Sequence, residues 1–356
     1  MSAQKSRARR SAVWGVASAQ RPLPRAGELL ADKYVVARTL GHGGMSVVYE
    51  AHHVRTGRPF ALKWLLPRFG ADPVASARLA REAEVACAIG HPAVVDVYDI
   101  ASHRGHPFLV MERLSGETLA ERLSRGPMAL LALLQLLLPV FEALDEAHAL
   151  TVVHRDLKPE NLYLTRMRRS VPEQVKILDF GVSKYGADAD ELRLTGSEAL
   201  VGTPYCMAPE QMVDPTRVDC RADVYAMGGV LFEALSGRAP FTGTTLPELV
   251  YRITREPAPR LRDVVPGAPR GLDEVVAACL AKAPEARPRS MAELAGWLSE
   301  VAGQPLAHWM HARRDAERLL REDLDALADG TQEALEFPVG SVVAARAAGQ
   351  AAAESA

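Results

Sequence analysis

The stretch VVHRDLKPENLYL, Val152 to Leu164, sets a His, an Arg, an Asp, a Lys and an Asn within eight residues, enclosed by apolar residues on both sides. A charge at a buried edge is costly unless it is paired or used. Two readings stand. Either these groups satisfy one another as a structural knot, or they form a site. The stretch alone does not choose between them, so the choice falls to the rest of the chain.

The chain has 356 residues, 48% hydrophobic and 24% charged, with a net charge of −2. That is soluble globular composition, and the length suits two domains or one large two-lobed one. No whole-chain field points to nucleic acid. The four cysteines, Cys87, Cys206, Cys220 and Cys279, lie far apart with no CxxC pair, which argues against a zinc site or a disulfide framework and for a reducing cytoplasm. The longest apolar run, Met128 to Phe141, is too short to span a bilayer and leads straight into Glu142, Asp145 and Glu146. It reads as a buried core helix kinked at Pro139.

Residues 1–27 carry six Lys/Arg and no acid, and read as a disordered basic arm rather than a signal peptide. From Tyr34 to about Met111, short β-like runs (YVVARTL, SVVYEAHHV, PFALKWLL, VVDVYDI, PFLVMER) surround one helical segment, Pro73 to Ile89. This part reads as an antiparallel sheet with one helix. After Leu114 the periodicity turns helical, over 117–125, 128–149, 221–236, 246–254, 271–281 and 290–302. Strands followed by helices suggest two lobes of different class, an α+β fold. The expected division is 1–27 arm, 28–302 domain (lobes 34–113 and 114–302) and 303–356 tail. The tail carries apolar Leu306, Met310, Leu320, Leu324 and Leu327 near one helical face, then an Ala-rich disordered end.

Several stretches carry chemistry. In LGHGGMSVVYE, Leu40 to Glu50, glycines Gly41, Gly43 and Gly44 sit in a turn between two strand-like runs, where backbone N–H groups can approach a phosphate; a bare hairpin turn is the alternative. A strand follows, so a Rossmann site is excluded, and no GKS or GKT marks a Walker A loop. Lys63 stands alone in the apolar run FALKWLL, 20 residues after Gly43. A buried lysine needs a carboxylate; Glu82 on the Pro73–Ile89 helix is the candidate, with Glu84 the alternative. KILDFGVSK ends a strand on Asp179, and GTPYCMAPE runs from Gly202 to Glu210.

Taken in order, these motifs resemble the protein-kinase signature, and more narrowly the bacterial serine/threonine kinases of eukaryotic type, over roughly Tyr34 to Val301. The resemblance implies the two-lobed kinase fold, with an antiparallel sheet and one helix in the N-lobe and a mostly helical C-lobe. Gly41, Gly43 and Val48 match the glycine-rich loop, with Gly44 beside them and Ser46 where a third glycine usually stands. Lys63 matches the lysine that holds the α- and β-phosphates, and Glu82 its helix partner. Met111 falls at the gatekeeper position, the backbone of Glu112 and Leu114 at the adenine edge, and Leu40 and Ala61 in the nucleotide-binding set. Asp156 matches the catalytic base, Lys158 the γ-phosphate ligand, and Asn161 and Asp179 the metal ligands. Glu210 and Arg287 resemble the pair that ties the activation segment to the C-lobe, and Asp223 the aspartate that anchors the catalytic loop. His154 reads as a buried structural residue rather than a base.

The implied activity is phosphoryl transfer from ATP, with Mg²⁺ or Mn²⁺, to Ser/Thr hydroxyls of proteins. Lys158 in DLKPEN and Thr203 in GTPYCMAPE favour Ser/Thr over Tyr. A catalytically dead, partner-binding relative would have lost Lys63, Asp156, Asn161 or Asp179, and none is lost; the complete GTPYCMAPE segment disfavours a small-molecule kinase. The 23-residue separation of Asp156 and Asp179 exceeds the usual spacing, so TRMRRSVPEQ (165–174) is expected to extend a hairpin as a surface loop, its positive residues a candidate docking patch. Arg155 before the catalytic aspartate implies switching by activation-loop phosphorylation, with Thr195 and Ser197 as the expected autophosphorylation sites; Thr203 is expected to contact Asp156, and Ser183 lies too close to the metal site. The expected setting is cytoplasmic, without membrane span or nucleic-acid partner, and the C-terminal helix is expected to dock on the helical lobe of its own chain, the alternative being a dimer or partner contact.

Overall fold

The computed structural model describes residues 23–67, 69, 72–165, 173–180 and 204–303. The arm up to residue 22, the tip of the expected hairpin (166–172) and the C-terminal tail lie outside the described residues. So do Ser183, Thr195, Ser197 and Thr203.

The first part of the chain is one antiparallel sheet of six strands, β1 (Leu29–Leu30), β2 (Tyr34–His42), β3 (Ser46–His53), β4 (Pro59–Leu65), β5 (Val97–His103) and β6 (His106–Glu112), in the order β1-β2-β3-β4-β6-β5. Strand alternation decides what each face holds. On β4, Phe60, Leu62 and Trp64 enter one apolar layer with Val47, Tyr49 and Phe108. Ala61 and Leu65 enter the other, against α1 (Pro73–Ile89), with Leu79, Ala83, Leu109 and Met111. Lys63 falls in phase with the second set.

The ends of α1 follow from sequence. Asp72 caps it by accepting from Val74 N (2.9 Å), and Pro73 opens it, where a missing N–H costs nothing. Gly90 closes it in the left-handed region, φ 58°.

A second sheet of three strands, β7 (Gly116–Thr118), β8 (Leu162–Thr165) and β9 (Gln174–Ile177), follows in the order β7-β8-β9. Helices build the rest: α2 (Leu119–Leu123), α3 (Leu130–Ala149), α4 (Pro209–Val213), α5 (Arg221–Ser236), α6 (Leu246–Arg255), α7 (Leu261–Val264), α8 (Arg270–Cys279) and α9 (Met291–Ala302). α5 is the centre, buried continuously from Ala222 to Phe232. Gly228 is required there, because a Cβ would stand 2.6 Å from that of Cys279. The whole is the α+β, two-lobed arrangement expected from strands followed by helices.

Three local expectations are corrected. Residues 117–118 are strand, and the helix begins at Leu119, because Thr118 and Glu121 form a reciprocal cap (Glu121 N to Thr118 Oγ1 3.1 Å, Thr118 N to Glu121 Oε2 2.7 Å). The run VVDVYDI becomes strand only at Val97; Val94 instead bridges Ile177 of β9 in parallel. Gly41 lies within β2, paired with Val48, so the turn itself starts at Gly43. α3 is continuous with Pro139 buried inside it.

Candidate active site

Lys63 Nζ lies 2.7 Å from Glu82 Oε1 and 2.7 Å from Asp179 Oδ1. The two carboxylates reach it from α1 and from the end of β9. Glu82 sits on the buried face of α1, whereas Glu84 points outward and pairs with Arg81. Burial alone would push the Lys63 pKa down, but the two carboxylates outweigh it and hold it above the usual lysine range. Burial pushes Glu82 up, Lys63 offsets only part of that and Asp179 adds to it, leaving Glu82 at about 7. Burial would also raise Asp179, but the Lys63 ammonium dominates and lowers it.

The stretch that opens on His154 and Arg155 is held from below. Asp223 on α5 is wholly buried and accepts from His154 N (2.8 Å), Arg155 N (2.9 Å) and His148 Nε2 (2.7 Å). Burial would raise its pKa, yet these bonds and the neighbouring imidazoles lower it. Arg155 adopts the left-handed φ of 65°, a strained conformation for a residue with a Cβ. Its flanking backbone is fixed on both sides, by Asp223 at the N–H and by Gln211 Nε2 at the carbonyl (2.9 Å). Asp179 is left-handed as well, φ 50°.

His154 is wholly buried, and both of its ring nitrogens are engaged. Its Nδ1 accepts from Asp156 N (3.3 Å) and its Nε2 donates to Leu178 O (3.3 Å), which fixes the neutral tautomer. Burial lowers its pKa, and its ring packs on Phe180 at 4.7 Å. Asp156 Oδ2 instead gathers Lys158 Nζ (3.3 Å) and Asn161 Nδ2 (3.1 Å). Asn161 also donates to Asp156 O (2.7 Å), so Oδ1 is the atom it has for a cation. Leu178 N donates to Asn161 O (2.8 Å), which ties the start of β8 to the segment carrying Asp179.

Above this floor, Gly43 N bonds Ser46 O (2.7 Å) and closes the β2–β3 hairpin. Leu40, Val48, Leu114 and Leu178 pack against the cluster containing Ala61 and Met111, so the apolar candidates converge. Glu112 N donates to Asp96 O (2.9 Å), which fixes the backbone at the end of β6. Below, Arg287 grips Glu210 with both terminal nitrogens (2.6 and 2.8 Å).

Sequence reasoning missed three residues. Gln211 joins the segment after residue 203 to the catalytic loop, and its other end accepts from Ala208 N (3.0 Å). His148 supports Asp223. Tyr205 donates to Glu233 of α5, and burial raises both groups. None had a local signal, since each partner lies far away in sequence. Among the described residues no cluster of three or more His, Cys, Asp or Glu side chains forms a metal site. An Asn–Asp pair of oxygen donors is the set a hard cation shared with phosphate would use.

Residues 34–296 match the protein kinase domain family. The kinase PknL of Mycobacterium tuberculosis is 37% identical over 265 residues, covering 74% of this chain and 64% of that protein. PknB of the same species is 35% identical over 300 residues, covering 81% of this chain and 46% of that protein. The chain thus spans less than two thirds of the length of these curated relatives. Among solved structures, the Mycobacterium tuberculosis PknI kinase domain superposes with a TM-score of 0.60 at 27% identity, covering 78% of this chain and all of that one.

Proposed function

This chain belongs to the protein kinase family, and on that premise we propose that it transfers the γ-phosphoryl of ATP to serine and threonine hydroxyls of proteins. The observation that carries the proposal is the Lys63–Glu82–Asp179 triangle, with Lys63 and Glu82 buried and Asp179 half exposed, together with a loop that gathers Asp156, Lys158 and Asn161. Phosphoryl transfer needs positioning and charge neutralisation more than covalent chemistry.

In this reading the Lys63 ammonium, fixed by Glu82, neutralises the α- and β-phosphates. The backbone of Gly41, Gly43, Gly44 and Ser46 covers the phosphates. Leu40, Val48, Ala61, Met111 and Leu114 sandwich the purine, and the Glu112 carbonyl and Leu114 backbone meet its edge. Asp156 orients the substrate hydroxyl and receives its proton, while Lys158 offsets charge on the moving phosphoryl. Asn161 and Asp179 hold Mg²⁺, or Mn²⁺ in its place, which neutralises the phosphates when bound. The name serine/threonine-protein kinase on both curated relatives supports this acceptor class.

We assign Arg155 to the pocket that receives an activation-loop phosphate, with Thr195 and Ser197 as autophosphorylated residues and Thr203 shaping the substrate groove. The work is proposed to be cytoplasmic signalling; no described helix is long and apolar enough to cross a membrane. The tail around Leu306–Leu327 is a proposed contact for a partner or a second copy, which light scattering of the full chain against residues 1–302 would test.

The deciding experiment is transfer of labelled phosphate from Mg-ATP to myelin basic protein. Lys63→Met and Asp156→Asn should each lower turnover about a hundredfold or more, the scale of removing one charge-stabilising group. Near-normal turnover in either would sink the assignment.

A further inference from the structure

Lys176 on β9 is a lysine that the reaction does not use, and only 8% of its side chain is exposed. Its Nζ lies 2.5 Å from Glu112 Oε1, 3.2 Å from Val94 O and 3.9 Å from Asp96 Oδ2. Glu112 is the last residue of β6, where the chain leaves the six-stranded sheet for the helical lobe. Its Oε1 also accepts from Asp96 N (2.8 Å), and its own N–H goes to Asp96 O.

Val94 and Asp96 belong to the loop between α1 and β5, the other place where the two lobes meet. That loop is stitched to β9 by Ile177 N to Ala93 O (2.6 Å) and Val95 N to Ile177 O (3.1 Å). His91 Nε2, at its start, stands 3.8 Å from Glu142 Oε2 of α3. Two crossings between the lobes therefore converge on one buried ammonium, one residue before Ile177 and three before Asp179.

A buried ion pair does not stabilise a fold more than packed apolar groups would, because desolvation offsets the attraction. What it adds is direction, since a charge-assisted hydrogen bond holds its geometry tightly. If the lobes open about the linker, the end of β6 turns against β9, and the Lys176–Glu112 contact must lengthen although only 8% of the lysine and 18% of the glutamate side chain is open to solvent.

We propose that Lys176 is a positioning residue: with Glu112 and the Val94 carbonyl it latches the linker to the helical lobe and slows the opening through which nucleotide leaves. This rests on the nucleotide-binding reading above. It concerns exchange rather than chemistry, so loss of the latch should speed release without slowing the transfer step.

The test is stopped-flow release of mant-ADP with Mg²⁺ from the full chain, in Lys176→Met, Glu112→Gln and the double variant, with thermal unfolding measured alongside. Lys176→Met leaves the half-buried Glu112 without its cation and should lower the unfolding temperature; the double variant leaves only the exposed Asp96 without that cation and should recover it. Release should be at least fivefold faster in both. Single-turnover transfer at saturating ATP by Lys176→Met should stay within twofold of wild type. Glu112→Gln keeps the shape and an acceptor oxygen but loses the charge, and should release at least twofold faster. A lysine that only supports the fold would let release return to the wild-type rate as stability recovers. That result, or unchanged release in Glu112→Gln, overturns the latch. A wild-type chain that takes up no mant-ADP would overturn the nucleotide-binding reading, and the latch with it.

Discussion

Replacing Arg287 by Met tests how the segment carrying Glu210 is held. A guanidinium has five N–H donors. In Arg287 all five are used: two on the Glu210 carboxylate (2.6 and 2.8 Å), and one each on the carbonyls of Ala281 (2.8 Å), Arg221 (3.0 Å) and Lys282 (3.1 Å). The side chain is fully buried and lies 4.9 Å from the Tyr225 ring centre. Methionine fills similar space but leaves the Glu210 carboxylate without its cation. Breaking one partner of such a pair costs about 3–5 kcal/mol. The carbonyls of Ala281, Arg221 and Lys282 lose their donor as well, which adds to the loss. At roughly 2–4 °C per kcal/mol for a domain near this size, unfolding should fall by about 10 °C. Differential scanning calorimetry of Arg287→Met measures it. Arg287→Lys, with three donors, should fall between. In Arg287→Met/Glu210→Gln, part of the loss should return, giving a coupling of about 2 kcal/mol. Additive effects, or an Arg287→Met protein within about 1 kcal/mol of wild type, would refute the reasoning.

Asp179→Asn should raise the Mg²⁺ concentration needed for half-maximal turnover about tenfold or more, one decade being about 1.4 kcal/mol; an unchanged titration curve counts against its role. Glu82, raised to about 7, is neutral below that pH and ionised above it, so turnover at limiting ATP should rise as pH passes through about 7. The stability contributed by the raised pKa runs the other way: it is present below the ordinary carboxylate range and lost as pH rises through about 7. Glu82→Gln should flatten the rise in turnover, and a profile that keeps its acid limb would show that another group causes it. Thr195→Ala/Ser197→Ala should lower activity about tenfold, roughly 1.4 kcal/mol, and peptide mapping of active enzyme that finds neither residue modified would refute the switch.

The fold was legible where the period was long or a terminus was marked. The segment Pro73 to Ile89 was legible as a helix, the structure adding Asp72 and Gly90 as its caps, and a lone lysine in FALKWLL stands out because every neighbour wants to be buried. β1 and β7, of two and three residues, are too short to show alternation. The run VVDVYDI looks uniformly strand-like, and only tertiary contact with Ile177 takes Val94 out of the sheet. Within the site, residues carried by local motifs could be named, and Glu82 was distinguished from Glu84 by which helix face meets the sheet. Gln211, His148 and Lys176 could not be found this way. Their partners lie 56, 75 and 82 positions away, and nothing in the flanking residues of a glutamine or lysine records such a partner.

The alternation along β4 makes the chain's length here matter more than its composition. Phe60, Leu62 and Trp64 enter one layer while Ala61 and Leu65, in phase with Lys63, enter the other. Exchanging one apolar residue for another in that strand shifts volumes by a methylene or two. Deleting a single residue between Pro59 and Lys63 turns every following side chain over. The ammonium would then face Tyr34 and Phe108, and Trp64 would be driven towards α1 and Glu82. A gene variant with that one-codon loss would keep nearly the same composition and hydropathy, yet it would exchange the contents of two layers and leave two carboxylates with no cation between them.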